Sequence, residues 1–107
     1  MDRYLQIVRV KPDRIDEYER IHRDVWPGVL ATIHDCNIRN YSIYRYGTLL
    51  IAYFEYVGED YKADMARMAA DPVTQEWWTH TDPMQEPVPE HGEGEWWLRL
   101  PEVFHVD

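Results

Sequence analysis

Apolar residues along this chain change their spacing several times, and each change marks an element. Residues 4–10, Tyr-Leu-Gln-Ile-Val-Arg-Val, predict a first strand in which Leu5, Ile7 and Arg9 share a face, with Tyr4, Val8 and Val10 aligned less cleanly. Lys11-Pro12-Asp13 turns the chain, and Asp13 is placed to cap a helix, with Asp16 three residues on. Ile15, Tyr18, His22, Val25, Trp26, Val29 and Ile33 then recur at helical spacing. Pro27 interrupts that run. It removes one backbone donor and pushes Trp26 out of helical geometry, so a kink is expected, or a break with a second helix from Pro27 to Ile33.

Residues 38–46 read as a strand whose two faces are Asn40, Ser42, Tyr44 and Tyr46 against Arg39, Tyr41, Ile43 and Arg45. Gly47-Thr48 turns the chain into residues 49–57, apolar almost throughout, which predicts a hairpin whose second strand is covered on both faces, by helices on one side and a partner subunit on the other. Gly58-Glu59-Asp60 leads into a helix carrying Tyr61, Met65, Met68 and Ala69. Asp71 caps a further helix that Pro72 opens, in the first turn where its missing donor matters least; this one carries Val73, Trp77 and Trp78. Residues 83–94, rich in Pro, Glu and Gly, read as a surface loop. Trp96 to Leu100 and Val103 to Val106 read as closing strands separated by Pro101.

The resulting order, β-α-β-β-α-β, predicts a ferredoxin-like α/β (α+β) sandwich in a single domain spanning residues 1–107. Two such sheets meeting face to face, in a dimeric α/β-barrel arrangement, would protect each other's exposed sides. Composition agrees with one modest core: 107 residues are 45% hydrophobic. Lys plus Arg number 11 against 20 Asp plus Glu, a net charge of −9, which disfavours a nucleic-acid partner and an anionic membrane surface. A neutral small molecule fits that balance better than a polyanion. Cys36, the only cysteine, rules out an intrachain disulfide and a cysteine metal cluster. Its neighbours His34 and Asp35 suggest a nucleophile, but the region reads as a helix end. The N-terminus lacks the apolar stretch of a signal peptide and no segment approaches the length of a membrane span, so a cytoplasmic location is the default expectation.

The candidate chemistry is aromatic and centred on one histidine. Tyr18, His22 and Trp26 are spaced by four, and successive steps of four turn only about 40° around a helix, so the three form one slanted stripe. Tyr offers a phenolic donor or acceptor, His exchanges protons near neutral pH, and Trp offers an apolar wall. By spacing alone such a stripe is more often half-buried packing than a ligand site. Trp77-Trp78 cannot share one helix face, so one packs while the other meets a ligand or a subunit; Trp96-Trp97 carries the same ambiguity in a strand. Tyr41 lies beside Asn40 on a strand that helix side chains can meet across a core. His34, His80, His91 and His105 read as surface or packing residues. No HExxH pair, phosphate-binding glycine loop, nucleophile elbow or dinucleotide fingerprint is present.

Tyr18-Glu19-Arg20-Ile21-His22-Arg23-Asp24-Val25-Trp26-Pro27, then Asn40-Tyr41-Ser42-Ile43-Tyr44, then Trp77-Trp78 ahead of Asp82-Pro83-Met84, and finally Leu100-Pro101-Glu102-Val103-Phe104, together resemble the L-rhamnose mutarotase family over nearly the whole chain. That resemblance implies a dimeric ferredoxin-like subunit that interconverts pyranose anomers of a monosaccharide with no metal and no organic cofactor. It implies His22 as the catalytic proton donor, Tyr18 and Tyr41 as substrate-contacting residues, and Trp77 and Trp78 as the aromatic pair at the sugar. Trp26, Asn40 and Asp82 fall in the wider surroundings. The hairpin connection Arg45-Tyr46-Gly47-Thr48 is shorter than the family's, and the segment Gly92-Glu93-Gly94-Glu95-Trp96-Trp97 is expanded. L-fucose or another L-hexose is the alternative substrate, and a non-catalytic dimeric sugar-binding module or a small monooxygenase-like protein are the alternative functions.

Overall fold

Strand β1 (Asp2–Val10) runs through one antiparallel sheet in a computed structural model that describes residues 1–107. Strand β3 (Leu49–Tyr56) pairs with one of its edges, and β2 (Ile38–Tyr46) flanks β3. The other edge of β1 is shared by two short strands, β4 (Gln85–Glu86) and β5 (Leu98–Leu100). Helices α1 (Ile15–Ile21) and α2 (Pro27–Asp35) connect β1 to β2, while α3 (Tyr61–Ala70) and α4 (Pro72–Thr81) connect β3 to β4. The architecture is mixed α/β.

Alternation along the central strands places the core. Leu50, Ala52, Phe54 and Tyr56 of β3 are buried, as are Tyr4, Val8 and Val10 of β1, and all point to the helical side. Toward one end, Val8, Val10, Leu50 and Met84 enclose Tyr18, with Ile15 and Ile21 against them. Toward the other, Tyr4, Ile38, Phe54 and Tyr56 pack with Ile33, Tyr61, Met65 and Met68. Leu5, Ile7 and Arg9 share the opposite face, as their spacing predicts. That face is open: Leu5, Tyr44 and Tyr46 are exposed, and a groove of about 420 Å³ lies between it and the residues from Leu100 to Phe104.

Several sequence expectations hold in detail. The chain breaks before Pro27, with Trp26 extended (ψ 136°) as a residue preceding proline should be. Asp71 caps α4 by accepting the Thr74 N–H at 2.8 Å, with Pro72 in the first turn. The helix expected after Gly58-Glu59-Asp60 forms, and the structure adds that Asp60 caps it through the Ala63 N–H at 3.1 Å.

Others are corrected. Asp13 is not a helix cap, because Pro12 starts a 3-10 turn over Pro12–Arg14 and takes Asp13 inside it. Strict alternation in β2 fails at a bulge: Arg39 pairs with Glu55 and Ser42 with Tyr53, so Asn40 and Tyr41 together oppose Phe54. Asn40 takes a left-handed conformation there (φ 51°). The bulge keeps Tyr41 on the helical side with Ile43, while Arg39, in register with Glu55, donates to the His34 carbonyl at the end of α2 at 2.9 Å. The loop over residues 83–94 begins with a 3-10 turn, Asp82–Met84, and then β4. Only Leu98–Leu100 forms the closing strand; Trp96 and Trp97 precede it in a bend, and residues 101–107 carry no strand. Pairing with β1 ends at Leu5 opposite Leu100, and Pro101 has no N–H to continue it. No helix is long and apolar enough to cross a membrane.

Candidate active site

The break between α1 and α2 assembles the site. His22 is the C-terminal cap of α1, four residues after Tyr18, and the two rings stack at 4.1 Å between centroids. Trp26 sits at the N-terminus of α2 after the turn, and both His22 and Trp26 meet the buried Trp77 of α4 edge-on, at 5.3 Å and 5.1 Å. Such pairs contribute about 0.5–1.5 kcal/mol each beyond the area they bury. Trp26 also meets His80 edge-on at 5.6 Å. An unbroken helix would have carried Trp26 further along one axis; the extended backbone at Trp26 turns it back toward α4.

The protonation state of His22 follows from geometry. Nδ1 lies 2.7 Å from the backbone carbonyl of Tyr18, and a carbonyl can only accept, so Nδ1 carries the hydrogen and donates it. Nε2 then bears the lone pair. Burial holds the imidazole below its ordinary pKa of 6.5, against the opposing pull of that carbonyl, so the ring is neutral at pH 7. Burial also pushes the Tyr18 phenol up to about 12, with the contact from Gln85 pulling the other way. Tyr18 is therefore a phenol at neutral pH, able to give a proton but not resting as an anion.

Of the remaining sequence candidates, Tyr41 rests on Phe54 at 5.5 Å, and burial pushes its hydroxyl up, with Tyr18 and Tyr61 nearby adding to the cost of a phenolate. Trp78 is half-buried beside Trp77. Asp82 follows α4, and its carboxyl is raised by partial burial. Asn40 stands apart: its amide donates to Glu55 at 2.6 Å, on the open face. The structure thus joins Tyr18, His22, Trp26 and Trp77 directly. Cys36 is buried where α2 ends, with its thiol raised by burial.

Gln85, outside the sequence candidates, and Trp96, left ambiguous by the sequence, join the cluster. Gln85, on β4 and buried, donates from Nε2 to the Tyr18 hydroxyl at 3.2 Å and accepts the Trp96 indole N–H at 2.8 Å. Nothing local in a Pro- and Glu-rich run marks such a glutamine; only the pairing of β4 with Val10 brings it inside. No three His, Cys, Asp or Glu side chains are grouped so as to hold a metal ion.

A family model described as L-rhamnose mutarotase matches residues 3–106. An L-rhamnose mutarotase of Phocaeicola vulgatus is 33% identical over 100 residues, covering 92% of this chain and 91% of its own. One from Ligilactobacillus salivarius is 35% identical over 108 residues, covering 95% and 94%. An L-fucose mutarotase of Xanthomonas campestris is 37% identical over 94 residues, covering 84% and 74%. The crystal structure of an L-rhamnose mutarotase from Formosa agariphila superposes with a TM-score of 0.79 over the whole of both chains at 18% identity, a likeness of fold. From Arg3 to Val106, then, the chain belongs to the L-rhamnose mutarotase family and is an enzyme of the isomerase class acting on sugar anomers.

Proposed function

We propose that this enzyme interconverts the α and β pyranose anomers of L-rhamnose by opening and reclosing the ring, with His22 and Tyr18 exchanging protons and Tyr41, Trp77 and Trp78 holding the sugar. The observation that carries the reading is the neutral His22, with Nδ1–H fixed on the Tyr18 carbonyl and Nε2 left as a base against an aromatic wall. Nε2 takes the proton of the anomeric hydroxyl as Tyr18 protonates the ring oxygen. The C1–O5 electron pair moves onto O5 and the carbonyl forms at C1. After rotation about C1–C2, O5 adds to the other face, Tyr18 recovers its proton and His22 gives its own back to O1. The resemblance implies His22 as the donor to the ring oxygen; with Nδ1–H held by the Tyr18 carbonyl and Nε2 free as a base, that step falls instead to Tyr18, and His22 is a donor only in closing, when it returns its proton to O1. Trp faces suit the C–H patches of a 6-deoxy sugar, and Trp26 and Asp82 form the wider surroundings.

The subunit is a ferredoxin-like sandwich that works as a homodimer through the open sheet face. Supporting this are the antiparallel order β2-β3-β1-β4 and the exposure of Leu5, Tyr44 and Tyr46 there. L-fucose is the second substrate reading, favoured by the similarity to the Xanthomonas campestris protein.

Saturation-transfer NMR of the anomeric protons tests both. Enzyme-dependent exchange of L-rhamnose should fall by about 100-fold or more in folded His22→Asn, the scale of a lost acid–base group. Near-normal exchange in that variant would remove His22 from the mechanism, and exchange with L-fucose alone would change the substrate. Specific sugar binding without exchange would leave a binding module.

A further inference from the structure

Gln85 is only 5% exposed and joins aromatic side chains from two distant parts of the sequence. Its amide orientation is dictated by chemistry. An indole nitrogen can only donate, so the Gln85 oxygen faces Trp96 and its NH2 group faces Tyr18. The Tyr18 oxygen therefore accepts, and its own proton has no protein acceptor. In a buried setting this determines which way the hydroxyl serves: it is a donor toward whatever lies on its free side.

The segment before β5 is built to hold that orientation. Gly92 N–H donates to the Glu95 carboxylate at 2.7 Å, Glu95 N–H returns to the Gly92 carbonyl at 3.0 Å, and Gly94 takes a left-handed turn (φ 78°). Trp97 then packs against the core cluster around Tyr18, and Leu98 enters the sheet opposite Ile7. The two adjacent tryptophans divide the work: Trp97 anchors the segment, and Trp96 aims its N–H at Gln85. The backbone of Gln85 is fixed by pairing with Val10.

We propose that Gln85, held by Trp96, is a positioning residue for ring opening: it fixes the Tyr18 hydroxyl as proton donor to the sugar ring oxygen and stabilises the negative charge that develops on Tyr18 as the proton leaves. The proposal rests on the mutarotase reading. In the opening step the Tyr18 proton passes to O5 with the C1–O5 pair, while the anomeric proton passes to His22 Nε2. The Gln85 N–H···O contact is one that strengthens as charge appears on the Tyr18 oxygen, so it acts on the transition state more than on sugar binding.

Gln85→Glu is the sharpest probe, being nearly isosteric. A carboxylate still accepts the Trp96 N–H but cannot donate, so Tyr18 must turn its proton onto residue 85 and away from the sugar. The kcat of anomer exchange should fall about 100-fold with KM changed by less than about 3-fold, the range of a misdirected acid–base group. Gln85→Leu, which removes the donor without adding an acceptor, should cost about 10-fold, and Trp96→Phe less, as orienting partners do. Circular dichroism and Tm establish that each variant is folded. In parallel, NMR of the protein carrying tyrosine labelled at the ζ carbon, with Tyr18 assigned through Tyr18→Phe, should show the Tyr18 signal displaced in both Gln85 variants. Wild-type kcat in folded Gln85→Glu overturns the proposal, and so does an unmoved Tyr18 signal. A wild type that exchanges no L-hexose would sink the mutarotase reading, and the tyrosine signal, which needs no sugar, still decides whether Gln85 governs the Tyr18 proton.

Discussion

Tyr18 and Tyr56 sit at opposite ends of the same buried sheet face, and burial pushes both phenols up to about 12. Their wiring is opposite. Tyr56 donates to the Asp64 carboxylate at 2.5 Å and accepts the Asp60 N–H at 3.0 Å. Asp64 in turn accepts from Asn37 at 2.9 Å and Arg67 at 2.8 Å, a closed network that pulls its carboxyl below the usual range, Tyr56 contributing most. Tyr18 accepts from Gln85 and keeps its proton uncommitted. A raised phenol pKa thus says little about function. What separates a strut from a proton donor is whether the partner is an acceptor that uses up the hydrogen or a donor that frees it.

The largest effect should come from deleting each hydroxyl in turn. Tyr18→Phe should slow anomer exchange about 100-fold with the protein still folded, whereas Tyr56→Phe should leave exchange near wild type and lower Tm by about 5 °C, through loss of the hydroxyl's bonds to Asp64 and the Asp60 N–H. Exchange rates and thermal melts on both variants check this, and matching losses of activity would erase the distinction between the two ends.

A pH series separates the regions next. Because the native pKa of His22 is lowered, exchange should persist at pH 6.5 and decline only at more acid pH, as the folded imidazole is protonated; His22→Asn should lack that limb. For stability the sign is the same. The neutral His22 contributes fully above the ordinary imidazole range, and its share fades as pH falls below it, where the unfolded chain binds the proton first. Asp64, depressed instead, contributes above the ordinary carboxylate range and fails as pH falls through its lower native value. Activity should therefore vanish at a higher pH than the fold, as kinetics and melts over the same buffers would reveal.

The smallest effect sharpens the far end. Asn37 holds a left-handed backbone (φ 68°) as well as its bond to Asp64. Asn37→Gly keeps that conformation and removes only the amide, so Tm should drop by about 2–4 °C with exchange unchanged. A larger fall in exchange than in stability would mean that the two ends are coupled.

Much of the frame is legible in the residues themselves. Pro27 interrupts the helical run because its ring lacks an N–H and extends Trp26, Asp71-Pro72 starts α4 by local capping, and the largely apolar run of β3 reads as a central strand. The Tyr18–His22 stack is legible too, since four residues on a helix bring side chains together whatever lies around them. The bulge at Asn40 is not, because strict alternation has no term for an extra residue, and neither is the failure of residues 103–106 to resume the strand after Pro101, which no local pattern decides.

The sequence by itself determined which side chains could do chemistry and where α2 and α4 begin, at Pro27 and Asp71-Pro72, for these are decided by covalent geometry and near neighbours. Tertiary structure alone decided what those residues do. It closed Trp77 onto His22 and Trp26 across two helices, lifted Gln85 out of a polar run into the core by pairing it with Val10, and brought Trp96 to its amide. Donor and acceptor roles are properties of contacts between distant segments. The direction of the Tyr18 proton therefore appears only once the sheet has placed Gln85 beside it.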